Sequence, residues 1–205
     1  INFMRKLIID QGNTLVKAAV FEDKILVKKE VLSDISDISS WLLGIDKVIY
    51  ASVNDRQDLI PYFKDTPFLN LSDSTPLPIS NLYNTPETLG VDRIAGVVAA
   101  NFLYPKSNNL IVDAGTCITY DFIDSDSNYT GGSISLGLKM RFKALHNQTH
   151  SLPLIEEINH FDLIGTDTYT SITSGVINGL LIEIDGIISR YKDTNPELNT
   201  IITGG

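Results

Sequence analysis

The sequence predicts an α/β chain made of two similar halves in tandem with a cleft between them, and three observations lead there. Two segments about a hundred residues apart repeat one another, each an apolar strand that ends on an acid and turns through small residues: Leu7-Ile8-Ile9-Asp10-Gln11-Gly12-Asn13-Thr14 and Leu110-Ile111-Val112-Asp113-Ala114-Gly115-Thr116. The length of 205 residues accommodates two domains of ordinary size, and the repeat offset favours two over one. Hydrophobic residues make up 43% and charged residues 20%, with no long polar or Pro/Ser-rich tract, so each half can bury a core and no segment reads as disordered.

In the first half, the repeat segment runs on into Leu15-Val16-Lys17-Ala18-Ala19-Val20-Phe21, giving strand, tight turn, strand. Residues 24–31 form a third strand, and residues 35–43 a short helix with Ile35, Ile38, Leu42 and Leu43 as its apolar positions. Residues 47–53 read as a buried strand, a helix opens near Asn54 or Asp55, and residues 67–71 form another strand. That order is the order of a ribonuclease-H-like domain. Residues 72–86, rich in Ser, Pro and Asn, make a loop, and a helix over about 87–104, stopped by Pro105, connects the halves. The domains are therefore expected at 1–105 and 106–205.

The second half restarts with the hairpin 109–124, followed by a strand at 129–135 that begins in a glycine turn at Gly131-Gly132. Residues 138–148 follow helical spacing. A long helix over 174–191 places Ile177, Leu181, Ile184, Ile188 and Tyr191 on one stripe, with Gly175 and Gly179 one turn apart to permit close packing. Thr166 or Thr168 is the candidate cap of that region. The strand Thr200-Ile201-Ile202-Thr203 enters a turn at Gly204-Gly205, and such a strand is expected to continue into a C-terminal helix or two.

The net charge of −9 and pI of 4.7, with no run of Lys or Arg, argue against a nucleic-acid partner. Cys117 stands alone and cannot form an internal disulfide. Nothing reads as a secretory leader or an 18-residue apolar span, so a cytoplasmic setting with no membrane partner is expected. Ile1-Asn2-Phe3, ahead of Met4-Arg5-Lys6, stand outside the fold argument.

Glycine lets a turn approach a ligand closely, turn N–H groups and a Thr hydroxyl donate to phosphate oxygens, and an Asp at a strand end holds a cation. One Asp-x-Gly turn also suits an ordinary hairpin, but both halves placing it after their first strand calls for a shared reason. At the start of the connecting helix, Gly90-Val91-Asp92-Arg93 combines a helix N-terminus with an arginine that can fork onto a carboxylate, leaving Asp92 to accept a proton; the alternative is an exposed helical ion pair. Gly131-Gly132-Ser133 and Gly137 serve as turn glycines or let a substrate lie on the backbone. His146 and His150 have zinc spacing but lack a third ligand, and Cys117 reads as a small buried hydrophobe.

Taken together, Asp10-x-Gly-Asn-Thr, Gly90-x-Asp-Arg, Asp113-x-Gly-Thr, Gly131-Gly-x-Ile and the terminal Thr203-Gly-Gly resemble the type III pantothenate kinase family, of the acetate and sugar kinase, Hsp70 and actin superfamily. The match from Gly131 to Pro153, ending Thr149-His150-Ser151-Leu152-Pro153, extends it. The resemblance implies two tandem ribonuclease-H-like, actin-like ATPase domains. It implies ATP-dependent phosphorylation of pantothenate to 4′-phosphopantothenate, the first step of coenzyme A biosynthesis.

By the same resemblance, Asp10-Gln11-Gly12-Asn13-Thr14-Leu15-Val16-Lys17 is the ATP-phosphate segment, with Asp10 organising Mg²⁺ through water. Thr116 faces it across the phosphates, Asp113 holds a monovalent cation (K⁺ or NH₄⁺), and Gly204 and Gly205 contact the adenosine half. Asp92 is implied as the general base, with Tyr83, Gly90, Val91, Arg93 and Thr168 holding pantothenate beside it. A homodimer that completes the pantothenate pocket across its interface is implied as well. Leu136 departs from the proline that the family usually has before Gly137. A polyphosphate or nucleotide phosphohydrolase of the same fold, or a non-catalytic regulator, is the alternative; the resemblance places the paired hairpins face to face across one crevice.

Overall fold

The computed structural model, which describes residues 3–52 and 58–204, builds its first sheet from strict alternation. In β1 (Arg5–Gln11), Leu7, Ile9 and Gln11 turn inward while Ile8 and Asp10 take the other face. β1 pairs antiparallel with β2 (Val16–Glu22), and β2 with β3 (Ile25–Leu32), whose residues are nearly all exposed. A 3₁₀ turn over Ile35–Asp37, capped by Asp34, runs into the one-turn helix α1 (Ile38–Trp41). Its inward residues are Ile38 and Trp41; Leu43, expected on that face, is 76% exposed. β4 (Lys47–Ser52) and β5 (Phe68–Asn70) then add parallel to β1, giving the order β3-β2-β1-β4-β5 expected of a ribonuclease-H-like sheet. Val53 and the helix opening expected near Asn54 or Asp55 lie outside the described residues, as does Gly205.

Leu7, Ile9, Val20, Ile38, Trp41, Val48, Tyr50, Leu59 and Phe63 form this unit's core. Each such side chain taken fully out of water contributes about 1.5–3 kcal/mol, which is what holds the sheet against α1 and the 3₁₀ turn Ile60–Phe63.

The chain divides into two units, the first comprising Ile1–Leu77 with Asn84–Gly96, the second Pro78–Tyr83 with Val97–Gly205. The connecting helix α2 (Val91–Leu103) changes unit between Gly96 and Val97. It starts later than residue 87 because Pro86–Thr88 form a separate 3₁₀ turn and Leu89 leaves it extended.

The second unit repeats the first sheet's logic. β7 (Asn109–Ala114), β8 (Cys117–Ile123) and β9 (Asn128–Leu136) form an antiparallel meander, and β10 (Asn199–Gly204) adds parallel to β7 as β4 does to β1. A two-residue strand unforeseen in the Ser/Pro/Asn loop, β6 (Ser80–Asn81), pairs parallel with the outer side of β9, giving β10-β7-β8-β9-β6. Gly131-Gly132 make no turn: β9 continues through them, with a register shift opposite Phe122 and Ile123 and Gly131 at φ +118°.

Helix α3 (Leu138–Asn147) lies where expected, and α4 (Thr168–Thr194) begins six residues before the expected 174. Neither Thr166 nor Thr168 caps it; Asp167 does. Its Oδ1 accepts from Thr170 N at 2.8 Å while Thr170 Oγ1 accepts from Asp167 N at 3.0 Å, a reciprocal box that satisfies two otherwise orphaned donors. The backbone N–H of Thr170, then its side chain, hold the exposed Asp167 carboxyl below its ordinary pKa.

The apolar stripe of α4 is divided: Ile172, Val176 and Ile177 pack with Phe142 and Ile155, whereas Leu180, Ile184, Ile187, Ile188 and Tyr191 cover Leu110, Val112, Ile118 and Tyr120. Leu181, expected on the stripe, is 48% exposed. A Cβ at Gly175 or Gly179 would meet no atom within 4 Å, so among the described residues nothing packs closely there, contrary to expectation. By length and composition alone α4 passes as a membrane span, with a mean hydropathy of 1.4 over an 18-residue window, against the expectation of no such stretch; the two cores take up many of its apolar residues, while Leu181 and Ile182 stay exposed.

Candidate functional site

The first hairpin joins Asp10 to Lys17 and Gln11 to Val16, and its loop is closed by Gly12 N donating to Leu15 O at 3.0 Å. Gly12 keeps a negative φ, and a Cβ there would meet only an ordinary 3.4 Å contact with that oxygen. Because β1 alternates, the Gln11 side chain is driven into the core, fully buried, where its Oε1 accepts from the Tyr50 hydroxyl and its Nε2 donates to Asp58 Oδ1 at 3.1 Å. That bonding makes an internal amide tolerable and ties the end of β1 to β4.

Val16 packs on the same core, so the segment's other face carries its charges. There Ile8, Asp10, Lys17 and Ala19, with Lys29 from β3, line a depression of about 190 Å³. Ala19 is small enough to leave the hollow open, and its pairing with Lys29 brings a second cation to it. Lys29 escapes sequence reasoning because its place depends on the β2–β3 register.

At the start of α2, Gly90 leaves space for its neighbour: a Cβ there would push aside Asp92 Oδ1, the atom that accepts from Arg93 N at 2.8 Å. Asp92 is exposed while Arg93, one residue on, is only 8% exposed. Val91 opens the helix. The doublet is thus split, one residue to solvent and one inward, and is not a pair of equally solvated surface charges.

In the second unit three glycines gather round the second hairpin. A Cβ on Gly115 would stand 3.0 Å from Asp113 Oδ1, and one on Gly204, at φ +95°, 2.6 Å from the same oxygen and 2.7 Å from Ala114 backbone. A Cβ on Gly137 would strike the carbonyl oxygens of Thr116 and Gly115. The Asp113 carboxylate therefore sits in a cradle bordered by Gly115 and Gly204, where a side chain would intrude, while Gly137 makes room for the turn's own carbonyls. Thr116 is exposed at the turn, and Cys117 beyond it packs its Sγ 3.8 Å from Met140 Sδ.

Tyr83 belongs to this unit too, half-buried, stacked on Tyr129 with centroids 6.3 Å apart. Thr168 is exposed at the first turn of α4 and lines a cavity of about 950 Å³ with Leu136, Arg141, Leu152, Asp167 and Ile172. Arg141 is fixed in that wall: its guanidinium donates to Leu136 O at 2.8 Å, Ser135 Oγ at 3.1 Å and Glu183 Oε2 at 2.5 Å. Burial works to raise the Glu183 pKa, but hydrogen bonds from Arg141, Ser135 and Tyr120 bring it below the ordinary value. The Tyr120 hydroxyl, donating to Glu183 Oε1 at 3.1 Å, is pushed up to about 12 by burial and then by that charge.

His146 spends its Nδ1 on Leu152 O at 2.7 Å, and no group of three or more metal-binding side chains occurs among the described residues.

The type III pantothenate kinase family model matches residues 6–190. The chain is 44% identical to the type III pantothenate kinases of Phocaeicola vulgatus and Christiangramia forsetii, the alignments covering 97% of this chain and 85% of each relative. Among solved structures it is similar to the ethanolamine utilization protein EutJ from Carboxydothermus hydrogenoformans, with TM-score 0.51 over 100% of this chain and 78% of that one; at 12% identity this speaks to the fold alone. From these matches, the chain belongs to the type III pantothenate kinase family, a family of kinases.

Proposed function

We propose that this protein transfers the γ-phosphoryl group of ATP to the primary hydroxyl of pantothenate, with Asp92 as the general base. The observation that carries the reading is the start of α2, where Gly90 makes room for the Asp92 carboxylate and the chain turns Asp92 outward and Arg93 inward. A carboxylate within reach of the hydroxyl takes its proton as the oxygen bonds to phosphorus and the bond to the ADP oxygen breaks; such a base is worth about 10²–10⁴ in rate. Arg93, with Tyr83, Gly90, Val91 and Thr168, holds the acceptor, the guanidinium suiting its carboxylate.

Asp10 and the main chain through Lys17 are assigned to the phosphates, Thr116 to their other side and Gly204-Gly205 to the adenosine half. The hollow holding Asp10, Lys17 and Lys29 supports that assignment, since it places ammonium groups beside a carboxylate on one sheet face. Magnesium held through water by Asp10 and potassium or ammonium held by Asp113 would supply charge neutralisation at the phosphates. The oxygen donors fit: Asp10 carries a carboxylate at the end of β1, and the Asp113 carboxylate lies where Gly115 and Gly204 bring no side chain. A cytoplasmic homodimer, with domains dividing near residue 105, completes the proposal.

The test incubates the full-length protein with MgATP, potassium and pantothenate and follows phosphopantothenate by mass. Turnover that ignores pantothenate would favour the phosphohydrolase, and none the regulator. Asp92→Asn is expected to keep the native melting curve and lose about two to four orders of magnitude in kcat; an unchanged kcat removes Asp92 from the mechanism.

A further inference from the structure

A fully internal carboxylate in the second unit, Asp121, has no part in the chemistry above, and it lies at the foot of a stack that ends on Tyr83. Asp121 is 1% exposed, and its Oδ1 accepts from the Tyr129 hydroxyl at 2.7 Å. The Tyr129 ring, itself completely buried, lies 12° from parallel with the Tyr83 ring. The next anchor is Gly131. Its φ of +118° belongs to the register shift between Phe122 and Ile123, and a Cβ there would come within 3.1 Å of Tyr83 Cδ2 and 3.2 Å of Cε2. The Tyr83 ring thus rests on bare backbone at one point and on an aromatic face at another.

The main chain leading to Tyr83 is held as firmly. Ser80 N and Leu82 N donate to Ser127 O and Tyr129 O, each at 2.9 Å, and Tyr83 N donates to Asn81 Oδ1 at 3.1 Å. This gives the two-residue β6 a reason to exist: too short to stabilise a sheet, it pins the segment carrying Tyr83 to the same stretch of β9 that supplies Tyr129 and Gly131.

We propose that Asp121, Tyr129 and Gly131 are positioning residues that hold the Tyr83 ring in its binding orientation, and so set the affinity for pantothenate without touching it. The proposal rests on the assignment of Tyr83 to pantothenate. A side chain that must be ordered on binding lowers affinity, whereas one already seated does not. Loosening the seat therefore raises the pantothenate KM and spares the chemical step.

The experiment uses the full-length enzyme and the variants Tyr129→Phe, Gly131→Ala and Tyr83→Ala, singly and combined. Tyr129→Phe, which keeps the ring and removes the hydroxyl that bonds Asp121, is expected to raise the pantothenate KM about two- to tenfold, with kcat and the ATP KM within about twofold of wild type. Gly131→Ala should do at least as much. In the Tyr83→Ala background both effects should vanish, because residues that act only through Tyr83 lose their influence when it is gone.

A second readout does not involve activity: in ¹³C-tyrosine-labelled protein, the Tyr83 ring signal, identified by its loss in Tyr83→Ala, should shift in both seat variants. If Gly131→Ala fails to fold, the near-isosteric Tyr129→Phe still decides. An unchanged Tyr83 ring signal, or a KM increase that persists without Tyr83, overturns the seat itself. An unchanged pantothenate KM in Tyr83→Ala overturns the proposal through the functional reading on which it rests.

Discussion

The two acid hairpins share a sequence pattern and a place in their sheets, yet they are braced in different ways. In the first, the residue paired with Asp10 is Lys17, the loop glycine has room for a side chain, and the strand end is tied down by the buried Gln11, Tyr50 and Asp58. In the second, the residue paired with Asp113 is Thr119, and the turn is shaped by Gly137 and Gly204, against which backbone closes in, and by Gly115, which leaves room for the Asp113 carboxylate. One copy is built from charge over a polar plug, and the other from closely packed main chain. A duplicated motif can therefore keep its outline while the forces that hold it diverge.

That contrast predicts unequal responses to similar substitutions. The largest belongs to Gly137→Ala, whose new methyl would strike two carbonyl oxygens; a loss of about 3 kcal/mol is expected in denaturant unfolding, and a change below about 1 kcal/mol would show that the turn yields. Tyr50→Phe, which leaves Gln11 Oε1 without this donor, is expected to cost about 1 to 3 kcal/mol in the same assay. No measurable change there would remove the polar plug from the account of the first hairpin.

Lys29→Gln, on the charged face, should raise the ATP KM about threefold at low salt and less at high salt, as expected for a partly screened contact. A salt-independent effect would point to packing. The smallest change is expected at Gly12→Ala, where a compatible φ should give a gain of about 0.4–1 kcal/mol in stability even if close approach of phosphate is impaired. A net destabilisation would mean that the first loop is as confined as the second.

Both hairpins were legible in the sequence because their signals are local: an apolar run, an acid, a glycine turn. The strand order of the first unit followed from the same kind of reading, and the inward turn of Gln11 was available in principle, since it continues the alternation of Leu7 and Ile9. What stayed hidden depends on partners distant in the chain. β6 is two residues of an unremarkable loop until β9 recruits it, Lys29 reaches Asp10 only through the β2–β3 register, and Gly131 reads as a turn until the register shift places it inside a strand. The cap of α4 was misassigned for a subtler reason, because Thr166, Asp167 and Thr168 are all capping types and only the reciprocal bonds with Thr170 single out the aspartate.

The outer strand β3 carries a further consequence. It ends the order of its sheet, and Ile25, Val27 and Val31 are 69%, 46% and 49% exposed, a rim on which a strand from another molecule could be templated. Lys28, Lys29 and Glu30 interrupt that apolar run, and any strand stacking there would have to strip their charges of water. The lysine assigned to the phosphate hollow thereby also guards against fibril-like association, so an apolar replacement at that position would alter colloidal behaviour along with chemistry.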